Sequence, residues 1–248
     1  MNYKADINGI ITDAVYTDES IRDIFIPLLF RFEKLKKEKG KRILVMLSAP
    51  PGAGKSTLCS FLEYLAKENG IEGITVIGMD GFHHYQDYLL NHKTLRDEKE
   101  ICMVDIKGAP ITFDLVKFKK RVKEVSEGKD VGWPVYDRMT HNPKEDIIKV
   151  TGDIVLLEGN YLLLKDEGWN ELSDYADYTI KIEADIEDLR KRLVERKFAS
   201  NHDYEKAKEF VERSDLYNAR TVLQNSKDAD LVLKLNKDNS YALIKGDI

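Results

Sequence analysis

Five consecutive apolar residues, Ile43-Leu44-Val45-Met46-Leu47, lead through Ser48 into Ala49-Pro50-Pro51-Gly52-Ala53-Gly54-Lys55-Ser56-Thr57, and no other stretch restricts the fold as much. The apolar run has the length and composition of a strand buried on both faces, which places it inside a parallel sheet. Gly52 and Gly54 then let successive backbone N–H groups turn inward around an anion, and a helix expected over residues 55–67 adds the positive end of its dipole. Strand, glycine-rich loop and helix stand in the order of a phosphate-binding loop, matched at its last three fixed positions by Gly54, Lys55 and Ser56. Ala49 stands where the pattern begins with glycine. A residue before proline is pushed into extended geometry with negative φ, where alanine is unstrained, so the loop survives the exchange. The stretch Pro51, Gly52, Ala53, Gly54, Lys55, Ser56 and Thr57 is therefore expected to bind ATP. Lys55 would reach the β- and γ-phosphates, and the Ser56 hydroxyl would face a Mg2+ ion bridging them.

Around this centre the pattern is strand and helix in alternation. Ile21, Ile24, Phe25, Leu28, Leu29, Phe32 and Leu35 recur at helical spacing with Pro27 among them, so residues 1–40 read as a helical extension with a kink. Residues 74–78, 154–157, 178–182 and 231–233 read as further strands. Helices are expected from an Asp114 cap to Gly128, over 186–197 and over 204–223, while 80–110 and the stretch before Ile154 read as polar loops. The class is α/β, a three-layer P-loop NTPase fold with a mostly parallel central sheet, helices on both faces and a helical lid. We read one domain over 1–248, with its core at 41–235 and the lid near 190–215.

The 248 residues carry 39 Lys and Arg against 44 Asp and Glu, a net charge of -5, which argues against polymeric nucleic acid as a partner. Cys59 and Cys102 have no spacing that suggests a disulfide framework or zinc, which fits a reducing cytoplasm. No apolar run approaches the length of a membrane span, and the first residues carry no signal-like core. The expected partner is a small-molecule acceptor, and a homodimer is compatible with the sequence.

Phosphate-binding loops serve kinases, ATPases and GTPase switches alike. Ile101–Gly108 has the Asp-x-x-Gly look of a GTPase magnesium loop, but Asn236-Lys237-Asp238-Asn239 lacks the acid that would read guanine. A nucleotide-driven ATPase or GTPase switch acting through a protein partner is the alternative function. Against it stands Met79-Asp80-Gly81-Phe82-His83-His84-Tyr85, which puts an acid at the carboxyl end of a strand, the sheet edge that also carries the phosphate loop. That strand is expected to lie beside the phosphate-loop strand.

Asp80-Gly81-Phe82 resembles a signature of the phosphoribulokinase, uridine kinase and bacterial pantothenate kinase group. So do Gly108-Ala109-Pro110-x-Thr112-Phe113-Asp114, Pro134-Val135-Tyr136-Asp137-Arg138-x-x-His141 and Ile154-Val155-Leu156-Leu157-Glu158-Gly159. The resemblance runs from about residue 42 to 233 and is nearest to nucleoside kinase-like and pantothenate kinase-like members. It implies ATP-dependent phosphorylation of a hydroxyl on a nucleoside, a pantothenate-like compound, a sugar or a glycerate-like acceptor. It further implies Asp80 as the base at the acceptor hydroxyl and Glu158 as an acid near magnesium. Tyr136, Asp137, Arg138 and His141 would contact the acceptor; a solvated hairpin tip is the alternative for that segment. His83 and His84 follow Asp80 directly and are candidates for the same site, one of them being as readily a structural side chain. Arg192 and Arg196, four apart on one helix face, would belong to the lid and stabilise the transferring phosphoryl; a solvated helix face is the alternative.

Overall fold

The computed structural model describes residues 1–7, 9–199 and 203–248. The sequence reads as helical over 1–40, but the chain opens with an antiparallel hairpin, β1 (Asn2–Ile7) against β2 (Ile10–Val15). Tertiary packing holds it. Tyr16 stacks on Phe61 at 4.2 Å, and Tyr3 meets Phe61 at 5.0 Å and Tyr64 at 5.6 Å. Each such aromatic pair adds about 0.5–1.5 kcal/mol beyond its buried area. The helix begins at α1 (Asp18–Ser20), capped by Thr17, whose hydroxyl oxygen accepts from the Ser20 N–H at 3.1 Å. A π-helical turn over Ile21–Phe25 leads into α2 (Ile26–Lys39). The Ile26 N–H bonds to the Ile21 carbonyl five residues back, which leaves Pro27 in the first turn of α2, where its missing N–H is tolerated.

Next come β3 (Ile43–Ser48), α3 (Lys55–Glu68) and β4 (Ile74–Gly78), the β-α-β unit that the sequence predicts. The stretch after it holds α4 (Gln86–Asn91) and a small hairpin, β5 (Lys93–Arg96) with β6 (Lys99–Cys102). Then α5 (Leu115–Ser126) begins as expected, with the Asp114 carboxylate accepting from the Lys117 N–H at 2.9 Å. The polar stretch before residue 154 is not a loop but a second hairpin, β7 (Val131–Asp137) with β8 (Asn142–Val150). Its register slips between Trp133 and Val135, at Pro134, which has no N–H to give to the ladder. The chain ends with β9 (Ile154–Gly159), β10 (Tyr178–Ala184), α6 (Ile186–Ala199), α7 (Tyr204–Phe210), a π-helical turn over Val211–Asp215, α8 (Leu216–Asn225), β11 (Leu231–Leu235) and β12 (Tyr241–Lys245). The segment read as a lid is helical on both sides of residues 200–202, which lie outside the described residues.

The main sheet has the order β12-β11-β10-β3-β9-β4, parallel throughout except for β12. Side chains of β3 alternate between two cores. Ile43, Val45 and Leu47 pack with α2, α3 and α6, while Leu44 and Met46 pack with α5 and Trp133. A strand with both faces covered has no polar alternation to keep, which is why its sequence is continuously apolar. One expectation is corrected: β4 does not lie beside β3. β9 is inserted between them, and the register sets Glu158 opposite both Leu47 and Gly78. Consecutive strands are often neighbours, but a crossover frees the space for a later one. As a result Glu158 stands between the phosphate loop and the strand that ends before Asp80. Among the described residues no helix is long and apolar enough to cross a membrane.

Candidate active site

The phosphate loop joins β3 to α3. Its positive φ values fall on Gly52 (87°) and Gly54 (76°), where a side chain would be strained. Ala49 is fully buried, has no positive φ, and its N–H bonds to the Gly159 carbonyl at 3.3 Å, in keeping with the pre-proline argument. A Cβ on Gly52 would lie 2.9 Å from Leu193 Cγ, so the loop backbone is packed directly against α6. Lys55 opens α3 and forms no ion pair among the described residues, although its charge acts on both Asp80 and Glu158.

The two acids sit in opposite electrostatic situations. Burial pushes the Asp80 carboxyl up, but His83, Lys55, Arg138 and Arg196 together outweigh it, so its pKa lies below the ordinary carboxylate value. Glu158 is pushed up, by burial first and then by the Asp80 charge, with Lys55 and the Ser56 hydroxyl only partly offsetting. Acids whose environments drive them apart in this way take different roles. The Ser56 hydroxyl donates to Glu158 Oε1 at 2.7 Å. A hydroxyl and a carboxylate side by side are hard oxygen donors of the type Mg2+ accepts when substrate phosphates and water complete its shell. Ser56 and Glu158 therefore fit the ion that the sequence implies.

A cavity of about 170 Å3 opens beside these groups, reached by Asp80, Gly81, Ser56, Glu158 and Tyr136. Two close contacts set its far wall. Trp133, fully buried, donates its indole N–H to the Gly78 carbonyl at 2.8 Å, and a Cβ on Gly81 would lie 2.1 Å from the Pro134 carbonyl oxygen. The β7–β8 hairpin is thereby clamped to the turn that carries Asp80.

The remaining expected residues divide. Tyr136 lines the cavity, its phenol raised to about 12 by burial and by Asp80. Arg138 has no ion pair among the described residues, and its charge acts on Asp80 and Glu158. Asp137 is not brought in. Its carboxylate accepts from the Met139 N–H and the Thr140 hydroxyl and pairs with Lys144 at 2.8 Å, which holds its pKa down at about 2. His141 is exposed at the hairpin tip with φ 55°, and its carbonyl accepts from Lys107. For Asp137, then, the hairpin-tip alternative describes the geometry.

Neither adjacent histidine lines the cavity. His83 is buried between Phe113 (ring centroids 3.9 Å) and Tyr136 (5.1 Å), and its Nδ1 lies 2.9 Å from the Asp80 carbonyl. Since a carbonyl only accepts, Nδ1 carries the proton. Burial keeps the ring's pKa below the ordinary histidine value despite Asp80, and the packed ring props the turn that carries the acid. His84 stacks outward on Tyr88 at 4.3 Å. On α6, Arg196 lies in the fields of Asp80, Asp215 and Arg138, whereas Arg192 donates to the Asn239 side chain in the β11–β12 turn. The two arginines share a helix but do not share a site.

Sequence reasoning missed Asp215, a mostly buried acid whose pKa is raised by burial against the pull of Arg196 and Lys197. It also missed Lys107, whose amine lies 4.9 Å from the Tyr136 ring centre and donates to Gln86 Oε1 at 2.7 Å. Nothing local marked either residue. The guanine-like stretch is a turn: the Asn236 side chain donates to the Ser240 hydroxyl, and Asp238 accepts from the Ser240 N–H.

Residues 44–242 match the Phosphoribulokinase / Uridine kinase family. An uncharacterized protein of Escherichia coli, YggC, is 40% identical over 243 residues, 97% of this chain and 98% of that protein. A pantothenate kinase of Lactococcus lactis is 26% identical over 201 residues, 72% of this chain and 62% of that protein. Among solved structures, a Silicibacter protein proposed to be a fructose transport system kinase aligns with a TM-score of 0.74 at 29% identity, covering 84% of this chain and 98% of its own. A phosphate loop facing a strand-end acid pair, on a chain matched over most of its length, places this protein in the phosphoribulokinase / uridine kinase family of P-loop kinases.

Proposed function

We propose that this chain transfers the γ-phosphoryl group of ATP to a hydroxyl of a small metabolite, with Asp80 as the base. The observation that carries this reading is the position of Asp80, just beyond the end of β4 and lining a cavity that it shares with Ser56 and Glu158, with nearby charges holding its pKa below the ordinary carboxylate value. An acceptor hydroxyl seated there gives its proton to the Asp80 carboxylate as its oxygen bonds to phosphorus and the bond to ADP breaks. Lys55 and Arg196 stabilise charge on the transferring group, and His83 holds the Asp80 backbone in place. Ser56 and Glu158 would hold a magnesium ion, which would supply neutralisation of phosphate charge. Relatives named for pantothenate and fructose suggest a hydroxyl on a compound of about that size.

The test is a coupled ADP-release screen with nucleosides, pantothenate, glycerate and sugars, repeated with Asp80→Asn. One acceptor should raise ADP release above background. The variant should keep its ATP affinity while kcat falls by roughly 10²-fold or more, the usual scale of general-base loss. Hydrolysis indifferent to every metabolite would return the protein to the switch reading.

A further inference from the structure

We infer that the N-terminal hairpin forms the outer wall of the acceptor cavity, and that Asp6 and Glu63 select acceptors whose far end is uncharged and hydroxyl-bearing over those carrying a carboxylate or phosphate there. This inference rests on the kinase reading above. Ser56, Ser60 and Glu63 lie on one face of α3 and all line the cavity, which also reaches Asp6 and Ile7 of β1. Seven residues of helix span about 10 Å, so the lining extends from the phosphate loop by the length of a small metabolite.

The charge along this length is uneven. Four carboxylates, Asp6, Glu63, Asp80 and Glu158, line the cavity with no basic side chain among them. Asp80 and Glu158 lie in the fields of Lys55 and Arg138 at the phosphoryl end. Among the described residues Asp6 accepts only the Gly9 N–H, at 2.7 Å, and neither it nor Glu63 forms an ion pair. Nor do the described acids gather into a group of three or more placed to hold a metal ion. An anionic group at the far end would meet uncompensated negative charge, whereas a hydroxyl finds acceptors for its hydrogen bonds.

The wall is fixed in place. Tyr3 Oη lies 2.8 Å from the Ser60 hydroxyl and donates to the Ser60 carbonyl at 3.1 Å, and the Tyr3, Tyr16 and Phe61 rings interlock behind it. The hairpin, with Asp6, precedes residue 44, where the family match begins, whereas Glu63 lies inside the matched stretch.

Calorimetry on the full chain with Mg2+ and ADP reads binding independently of turnover, using three matched pairs: glycerol and glycerate, pantothenol and pantothenate, glucose and gluconate. A neutral member should bind at least about tenfold more tightly than its carboxylate partner. Glu63→Lys should shrink that ratio by a similar factor by tightening the carboxylate. The pair Glu63→Gln with Asp6→Asn changes charge but not size and keeps the test open should Glu63→Lys fail to fold. Tighter binding of the carboxylates, no binding of any neutral member, or a ratio unchanged in the variants would overturn the inference. Neutral compounds that bind without ADP release in the coupled assay would sink the kinase reading and leave the selectivity standing. ADP release driven by the carboxylates alone would do the reverse.

Discussion

The phosphate end of the cleft comes from one unbroken stretch, β3 through α3, whereas the acceptor end is assembled from β1, the middle of α3, the turn after β4 and the β7–β8 hairpin. On the proposed reading the first end would meet its ligand with backbone N–H groups and a helix terminus, which need only glycines at positive φ and a following lysine. The second would meet its ligand with side chains that long-range contacts bring together, such as the Trp133 bond to Gly78 and the Tyr3 bond to Ser60. A shared cosubstrate can be bound by a portable local motif. A particular acceptor needs a surface whose composition differs from one protein to the next.

Substitutions should therefore separate along this division, and Arg196 should give the largest effect because on the proposed reading it would serve the group that moves between the two ends. Arg196→Ala should lower kcat by about 10²-fold, the scale of losing one stabilising donor. Arg192→Ala, whose partner is Asn239, should turn over near the parent's rate. Equal losses in steady-state kinetics would break the distinction. Lys55→Ala should weaken ATP binding by about 10- to 100-fold, matching about 1.5–3 kcal/mol for a charged hydrogen bond. Calorimetry should find acceptor binding in that variant unchanged.

Gly81→Ala tests the other end. Its methyl has no room beside the Pro134 carbonyl, and such overpacking costs about 1–3 kcal/mol. Thermal unfolding should show a lower Tm, and kinetics a raised acceptor KM with ATP affinity kept, because the displaced hairpin carries Tyr136. The smallest effect concerns Lys107. Burial lowers its amine from 10.5 to about 8, so between those values the unfolded chain holds a proton that the folded chain has released. Stability should therefore rise with pH across that window. Lys107→Met should remove the rise, read as a parent-minus-variant difference in Tm that changes between pH 7.5 and 9.5.

How much of the candidate site is legible in the sequence follows the same line. Gly52, Gly54, Lys55 and Ser56 announced themselves because loop and helix terminus are local, and Asp80 and Glu158 because each ends an apolar run. Arg192 and Arg196 were paired by helical spacing, which says that two side chains are neighbours but not that both reach the same partner. The first hairpin did carry a signal, Asn8-Gly9 after the alternating run Tyr3, Ala5, Ile7, but the stronger helical periodicity from Ile21 onward obscured it. The β7–β8 hairpin was obscured by Pro134, Pro143 and a mostly exposed second strand.

By itself the sequence determined the α/β class, the central strand and the phosphate loop, because continuous burial and glycine conformation are properties of adjacent residues. Only the tertiary structure decided that β9 separates β3 from β4, that Asp137 turns back into its own hairpin while the Arg138 charge acts on Asp80, and that Asp6 and Glu158 line one cavity. Each of these depends on which distant surfaces bury one another, and that choice is made by the free energy of the whole core rather than by any local preference.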